Sequence, residues 1–289
     1  MWCQPTVRRR PVVRRDPLGR APCGAVSGVV SGVVPSVVAM DLEESTVVVT
    51  GGATGLGEHL VRSFADCGAR VVIADRDAAA AQLLARSVRE RGGSASACRC
   101  DVTVERDLQA LLALAGDFGG VDVLVNNAGG WGTAAHQYPD AAFEEWSQVL
   151  DLNLRAPMRL LQLSLDGMRR RRRGAVVNVA SSAGVASSAY GSPPYAVAKA
   201  GLIRLTTALA GLQAEGVRVT CVVPGWIGLP RAHTERAALD PAEQARVPAL
   251  VPPHLVAGEV VRLVREDVTA GTVVELLDGT DRRVVPPAQ

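Results

Sequence analysis

The stretch TVVVTGGATGLGEHL, residues 46–60, decides how the rest of the chain is read. Thr46 to Thr50 are β-branched without interruption, the pattern of a strand buried on both faces, and such strands belong to parallel sheets. Glycines then fall at 51, 52, 55 and 57. They allow a tight turn and close backbone approach, and a helix is predicted to open near Leu56. A strand feeding a helix through such a turn aims free N–H groups and the positive helix end at one point, which suits a phosphate-bearing ligand. Taken alone, a purely structural turn has the same look.

Six further apolar runs follow, at residues 70–75, 94–101, 121–127, 174–180, 217–223 and 272–278, separated by stretches rich in Ala, Leu, Arg and Glu. Strands alternating with helices long enough for crossovers predict an α/β fold, a doubly wound parallel seven-stranded sheet of the Rossmann type in a single domain. With 48% hydrophobic and only 3% aromatic residues, the core is expected to be built from Ala, Val and Leu. Whole-chain disorder, a collagen and a disulfide-stapled scaffold are excluded. Residues 1–40 read differently: an Arg- and Pro-rich stretch precedes GAVSGVVSGVVPSVVA, too short and interrupted to span a bilayer. They are expected to be a disordered extension ahead of a natural start at Met40, with an export signal as the alternative. The catalytic body is then residues 41–289.

The formal charge of +2 hides an asymmetry, because the first forty residues hold six Arg against one Asp. The body is mildly acidic and offers no footprint for nucleic acid. Cysteines at 3, 23, 67, 98, 100 and 221 and histidines at 59, 136, 233 and 254 lack metal-ligand or disulfide spacing, so no metal and a cytoplasmic location are expected. Cys98 and Cys100 read as core thiols. The run Arg169 to Arg173 reads as a solvated helix end, where cations suit the negative dipole.

In a doubly wound sheet, ligands bind beyond the carboxyl ends of the strands. The second run ends in Asp75, about twenty residues past the glycine turn, where a carboxylate accepts hydrogen bonds from ribose hydroxyls and repels a 2′-phosphate. This favours NAD over NADP, although Arg76 is within reach of a 2′-phosphate. Further motifs stand at Asn126-Asn127-Ala128-Gly129, at Asn153 within DLNL, at Ser182 thirteen residues before Tyr195, and at Tyr195-Ala-Val-Ala-Lys199. Tyr195 and Lys199 are i and i+4 and share a helix face, and Pro193-Pro194 favours a helix start there. A phenol normally titrates near pH 10. The adjacent Lys199 ammonium, the positive helix end and a bound nicotinamide cation are each expected to lower it, which makes Tyr195 the candidate acid/base. Lys199 is the single lysine among 31 basic residues, and the four asparagines, 126, 127, 153 and 178, all lie in or beside these motifs.

From Thr46 to Asp278 the chain resembles the short-chain dehydrogenase/reductase family in its single-domain branch. The resemblance implies cofactor contacts at Gly51, Thr54, Gly55, Leu56, Gly57, Asp75, Arg76, Asn127, Tyr195 and Lys199. It also implies an adenine-contacting pair Asp101-Val102 and nicotinamide contacts at Pro224 and Ile227. By the same resemblance Ser182 holds the substrate oxygen, Lys199 binds the nicotinamide ribose, and Asn153 fixes a proton-relaying water. One departure stands out: the family's carboxamide-binding Thr is replaced here by Leu229. Gly130, Trp131, Ser187, Ala189, Tyr190, Trp226 and residues 229–251 are expected to line the pocket, and their apolar character favours a small-molecule substrate, a hydrophobic secondary alcohol or ketone. Arg231 and His233 leave an acidic or CoA-linked substrate open. A non-catalytic dinucleotide-binding sensor or scaffold is the alternative, though it has no need of Ser182, Tyr195 and Lys199 in register. An epimerase of the two-domain plan would carry a longer C-terminal substrate domain. A homodimer or homotetramer built on helices around residues 145–170 and 195–215 is expected from the resemblance.

Overall fold

The structure is a computed structural model that describes residues 39–132 and 136–285. The expectations for residues 1–38 lie outside the described residues. Eight strands form one sheet in the order β3-β2-β1-β4-β5-β6-β7-β8. They are β1 (Thr46–Thr50), β2 (Arg70–Asp75), β3 (Ser94–Arg99), β4 (Val123–Asn126), β5 (Gly174–Val179), β6 (Val217–Pro224), β7 (Val273–Leu276) and β8 (Arg283–Val285). The first seven are the seven expected, and each pairs in parallel with its neighbours. The eighth was not expected. It is a short strand that returns antiparallel along β7, with Val274 opposite Val284.

Consecutive side chains of each strand enter opposite layers, because the strand period is two. Val47, Val49, Val71 and Ile73 pack on one layer with Leu60 and Phe64 of α1 (Leu56–Asp66), Leu84 and Val88 of α2 (Ala78–Glu90), and Val256 and Val260 of α9 (Pro253–Arg265). Val48, Val72, Leu124 and Val176 face the other layer, where α3 (Glu105–Gly116) contributes Leu108 and Leu111, and α5 (Ala156–Arg171) contributes Leu160 and Leu161. Cys100 lies in this second core and Cys98 packs against it, as expected of structural thiols. The body's first core also takes in Met40 and Leu42.

Arg169 to Arg173 do more than end a helix in solvent. Arg171 donates to the Val121 carbonyl (2.6 Å), Arg172 to the Ala214 carbonyl (3.0 Å), and Arg173 to Ser45 Oγ (2.7 Å) and the Asp41 carbonyl (3.0 Å). Arg169 pairs with Glu215 at 2.6 Å. The run therefore fastens the C-terminal end of α5 to the segments that enter β1, β4 and β6. Sequence spacing alone cannot show this, because the partners, Glu215, Ser45, Asp122 and three backbone carbonyls, lie far along the chain.

Candidate active site

The strand order reverses between β1 and β4, and the glycine turn after β1 meets the Asn127–Gly129 segment after β4 at that switch point. Gly51 has φ +58°, and a Cβ there would lie 2.9 Å from Ala128 Cα. A Cβ on Gly57 would lie 1.9 Å from the Gly51 carbonyl oxygen, so only glycine lets α1 begin this close to the turn. Asn127 Nδ2 donates to the carbonyls of Thr50 (2.9 Å) and Gly51 (3.0 Å), while the Asn127 and Ala128 amides donate to Thr50 Oγ1 (3.0 and 3.1 Å). Asn127 is thus a brace for the turn. Asp75 is a second brace: Oδ2 accepts from the Ala53 amide and Oδ1 from the Asp77 amide, both at 3.0 Å. Each carboxylate oxygen keeps a further lone pair for a ligand.

The flanking residues complete a cleft suited to a dinucleotide. Thr54 is exposed at the tip of the turn, Leu56 and Gly57 are buried at the start of α1, and Arg76 is exposed beside Asp75. Asp101 Oδ1 accepts from the Thr103 hydroxyl (2.7 Å) and amide (2.9 Å). Those bonds, with Arg76 and Arg99 nearby, hold its carboxyl below the usual range. Val102 beside it is buried. On the far wall Pro224 ends β6, Ile227 bridges to Val251, and Leu229 precedes α7 (Pro230–Ala237). A Cβ on Gly55 would come 3.3 Å from Leu229 Cδ1, so the leucine lies over the glycine turn itself. The tightly packed glycines bring the start of α1 up to the switch point, and the cleft presents N–H donors at one end and a carboxylate at the other, which fits an adenine dinucleotide.

Helix α6 (Pro193–Ala208) carries Tyr195 in its first turn and Lys199 one turn later. Lys199 is only 3% exposed; its Nζ donates to the Val179 carbonyl (2.9 Å) and lies 5.5 Å from the Tyr195 ring centroid. Burial brings this ammonium down to about 8, against an opposing influence of Cys221 on β6. The protein's own groups do not by themselves lower the Tyr195 phenol. Burial pushes it up to about 12, the Ser181 hydroxyl works the other way, and Tyr190 adds to the rise. The loss of hydration outweighs a lysine that sits beside the ring and spends a hydrogen bond on Val179.

The serine whose hydroxyl bears on the phenol is Ser181, next to the expected Ser182. Ser181 is extended (φ −166°), its Oγ accepting from the Ala183 amide at 3.2 Å, whereas Ser182 opens the short 3-10 turn Ser182–Gly184. Ser181 ends the extended segment and Ser182 lies within the turn, so the two hydroxyls are presented differently. Counting residues back from Tyr195 cannot say which one bears on the phenol. Counting strand alternation from buried Val177 and Val179 offers a better signal.

Asn153 sits in a π-helical turn, Asp151–Arg155, between α4 (Phe143–Leu150) and α5. Its side chain is fully engaged: Oδ1 accepts from the Gly130 amide (3.1 Å), and Nδ2 donates to the carbonyls of Gly130 (2.7 Å) and Val149 (2.8 Å). The amide anchors the loop that carries Trp131. The Trp131 ring meets Tyr195 edge-on at 6.2 Å, and Tyr190 stacks on Tyr195 at 5.9 Å. Among the described residues no group of His, Cys, Asp and Glu could hold a metal ion, and no helix is long and apolar enough to cross a membrane.

The short chain dehydrogenase family profile matches residues 45–240, across both the glycine turn and the Tyr195–Lys199 helix. The chain belongs to this family. Like other short chain dehydrogenases it has recognisable curated relatives. It is 37% identical to the L-fucose dehydrogenase of Oryctolagus cuniculus over 203 residues, 70% of this chain and 69% of that one. It is 34% identical to a 3-oxoacyl-(acyl-carrier-protein) reductase of Vibrio cholerae over 212 residues, 73% of this chain and 84% of that one. A solved 7α-hydroxysteroid dehydrogenase, complexed with NADH and 7-oxo glycochenodeoxycholic acid, superposes with a TM-score of 0.74 at 27% identity, covering 85% of this chain and 96% of that chain. Family membership makes this short chain dehydrogenase an oxidoreductase that uses a nicotinamide dinucleotide.

Proposed function

We propose that this chain transfers a hydride between NAD(H) and a secondary alcohol or its ketone, with Tyr195 as the acid/base. The observation that carries this reading is the convergence of Tyr195, Lys199 and Ser181 beside the glycine turn. When bound, the dinucleotide supplies or accepts the hydride at the substrate carbon. Tyr195 donates the phenolic proton to the substrate oxygen in reduction and removes it in oxidation. Ser181 hydrogen-bonds that same oxygen and holds it against the phenol. Lys199, buried and cationic below about pH 8, stabilises negative charge as it forms on Tyr195. Asn153 keeps the Gly130–Trp131 wall in place through its three backbone bonds.

The Asp75 carboxylate supports NAD(H) over NADP(H), because a 2′-phosphate would meet its charge; the nearby cations are exposed Arg76 and Arg99, the latter already paired with Asp107. The aromatic walls Trp131 and Tyr190 support a substrate with an apolar body. Free thiols at Cys67, Cys98, Cys100 and Cys221 are in keeping with a reducing cytoplasm. The test follows near-ultraviolet absorbance of the reduced cofactor while NAD⁺ and NADP⁺ are offered separately with a panel of secondary alcohols. Turnover with NAD⁺ is expected, and Tyr195→Phe is expected to lower it by about 10²–10⁴-fold with dinucleotide affinity retained. Undiminished turnover in that variant would remove Tyr195 from the mechanism.

A further inference from the structure

Beside the buried phenol of Tyr195, two large aromatic faces stay open: Trp131 is 36% and Tyr190 40% exposed. The guanidinium of Arg231, in the first turn of α7, lies over the Trp131 ring, with Cζ 4.5 Å from the centroid. Its Nε meets Glu235 Oε1 at 2.5 Å. One face of the guanidinium is thus taken by the indole and one nitrogen by the carboxylate. The two terminal amino groups have no hydrogen-bond partner among the described residues.

Stacking and the Glu235 bond together fix the plane of the guanidinium, which removes most of the entropic cost of holding a long side chain still. A planar cation with a fixed orientation and its outer N–H groups unspent is prepared for bidentate capture of an oxyanion. Its location gives that capture a meaning. The Trp131 ring that supports Arg231 is the same ring whose edge packs against Tyr195, so a single indole separates the guanidinium from the reacting phenol. The Arg231 side chain is 68% exposed, so its outer N–H groups are open to a ligand that enters from solvent along the Trp131 wall.

Resting on the dehydrogenase reading above, we propose that Arg231 binds a carboxylate of the substrate, so that the substrate is an oxo acid or hydroxy acid whose ring-sized apolar body lies along Trp131. A carboxylate suits the site better than a phosphate. One guanidinium faces the ligand, and Glu235 beside it would repel a dianion more than a monoanion. The apolar body rests against the exposed aromatic surface of Trp131 and Tyr190, and the acid group determines which end of the substrate points outward.

Two matched pairs of ketones test this: 4-acetylbenzoate against 4-methylacetophenone, and 4-oxocyclohexanecarboxylate against 4-methylcyclohexanone, each reduced with NADH and with NADPH. The readout is the acid-to-neutral ratio of kcat/KM. A ratio of about ten or more is expected in the unaltered chain, falling about ten-fold or more in Arg231→Gln through KM, with Arg231→Lys in between. A ratio that does not favour the acids, or that is the same in Arg231→Gln, overturns the carboxylate proposal while leaving the dehydrogenase reading intact. Turnover of neither pair with either cofactor overturns both.

Discussion

Tyr195 must lose a proton to oxidise an alcohol and must hold one to reduce a ketone, and its surroundings favour the second. Burial pushes the phenol up to about 12, and neither Ser181 nor the lysine one turn away offsets that. Alcohol oxidation is expected to climb with pH up to about 8, above which Lys199 loses the charge that stabilises the phenolate, while ketone reduction stays level between about pH 6 and 8. The sign follows from the base form being scarce at neutral pH and the acid form saturated. Opposite slopes for the two directions, measured in one buffer series, check it; an oxidation rate already level at neutral pH would contradict it. The same scale separates the two serines. Ser181→Ala is expected to lower kcat/KM by about 10²-fold or more, whereas Ser182→Ala, at the start of the 3-10 turn, is expected to change it by less than about three-fold. Equal losses in the two variants would return the substrate-oxygen role to both positions.

At the scale of elements, α6 is held against the sheet by a buried polar chain as well as by packing. Asn126 Nδ2 donates to Asn178 Oδ1 (2.9 Å), Asn178 Nδ2 to Thr206 Oγ1 (2.9 Å), and Thr206 Oγ1 to the Leu202 carbonyl (3.0 Å), which ties β4, β5 and α6 in one line. All three side chains are buried, so each bond that is lost leaves a dry polar group without water to replace it. Thr206→Val is expected to cost about 1–3 kcal/mol, read as a lowered Tm, and Thr206→Ser to restore most of it. A valine variant as stable as the parent would show that the chain contributes nothing net. The elements themselves were largely legible beforehand. Thr46 to Leu60 announces strand, turn and helix through β-branching and glycine spacing, and Pro193-Pro194 announces α6. Three features were not legible, each for a tertiary reason. β8 is three residues long and takes its identity from pairing with β7. Ser181 ends an extended segment while Ser182 opens a 3-10 turn, a difference that spacing from Tyr195 does not record. The direction of the Tyr195 shift depends on how much water the assembled walls exclude, which no local spacing records.

At the scale of the whole molecule, the sheet buries both faces under helices, and among the described residues some large apolar side chains stay exposed on helices α4, α5 and α6. Met158 on α5 is 44% exposed, Val197 on α6 is 61% exposed, and Phe143 at the start of α4 is 63% exposed. Large apolar side chains left open on long helices are the usual mark of a surface that another chain covers. The faces around Met158 and Val197 coincide with the two segments from which family resemblance leads one to expect self-association. Val197 also lies between Tyr195 and Lys199 on α6, so covering this helix would stiffen the element that carries the acid/base. The expected outcome is a light-scattering mass of at least two 30.2 kDa chains. The double variant Met158→Asp with Val197→Asp is expected to return it to one chain, because an interface cannot readily bury unpaired carboxylates. Circular dichroism unchanged from the parent would show that the variant keeps its fold, as exposed positions permit. A single-chain mass for the unaltered protein would mean that these faces serve no self-association and that α6 is held in place by the Asn126–Asn178–Thr206 line and core packing alone.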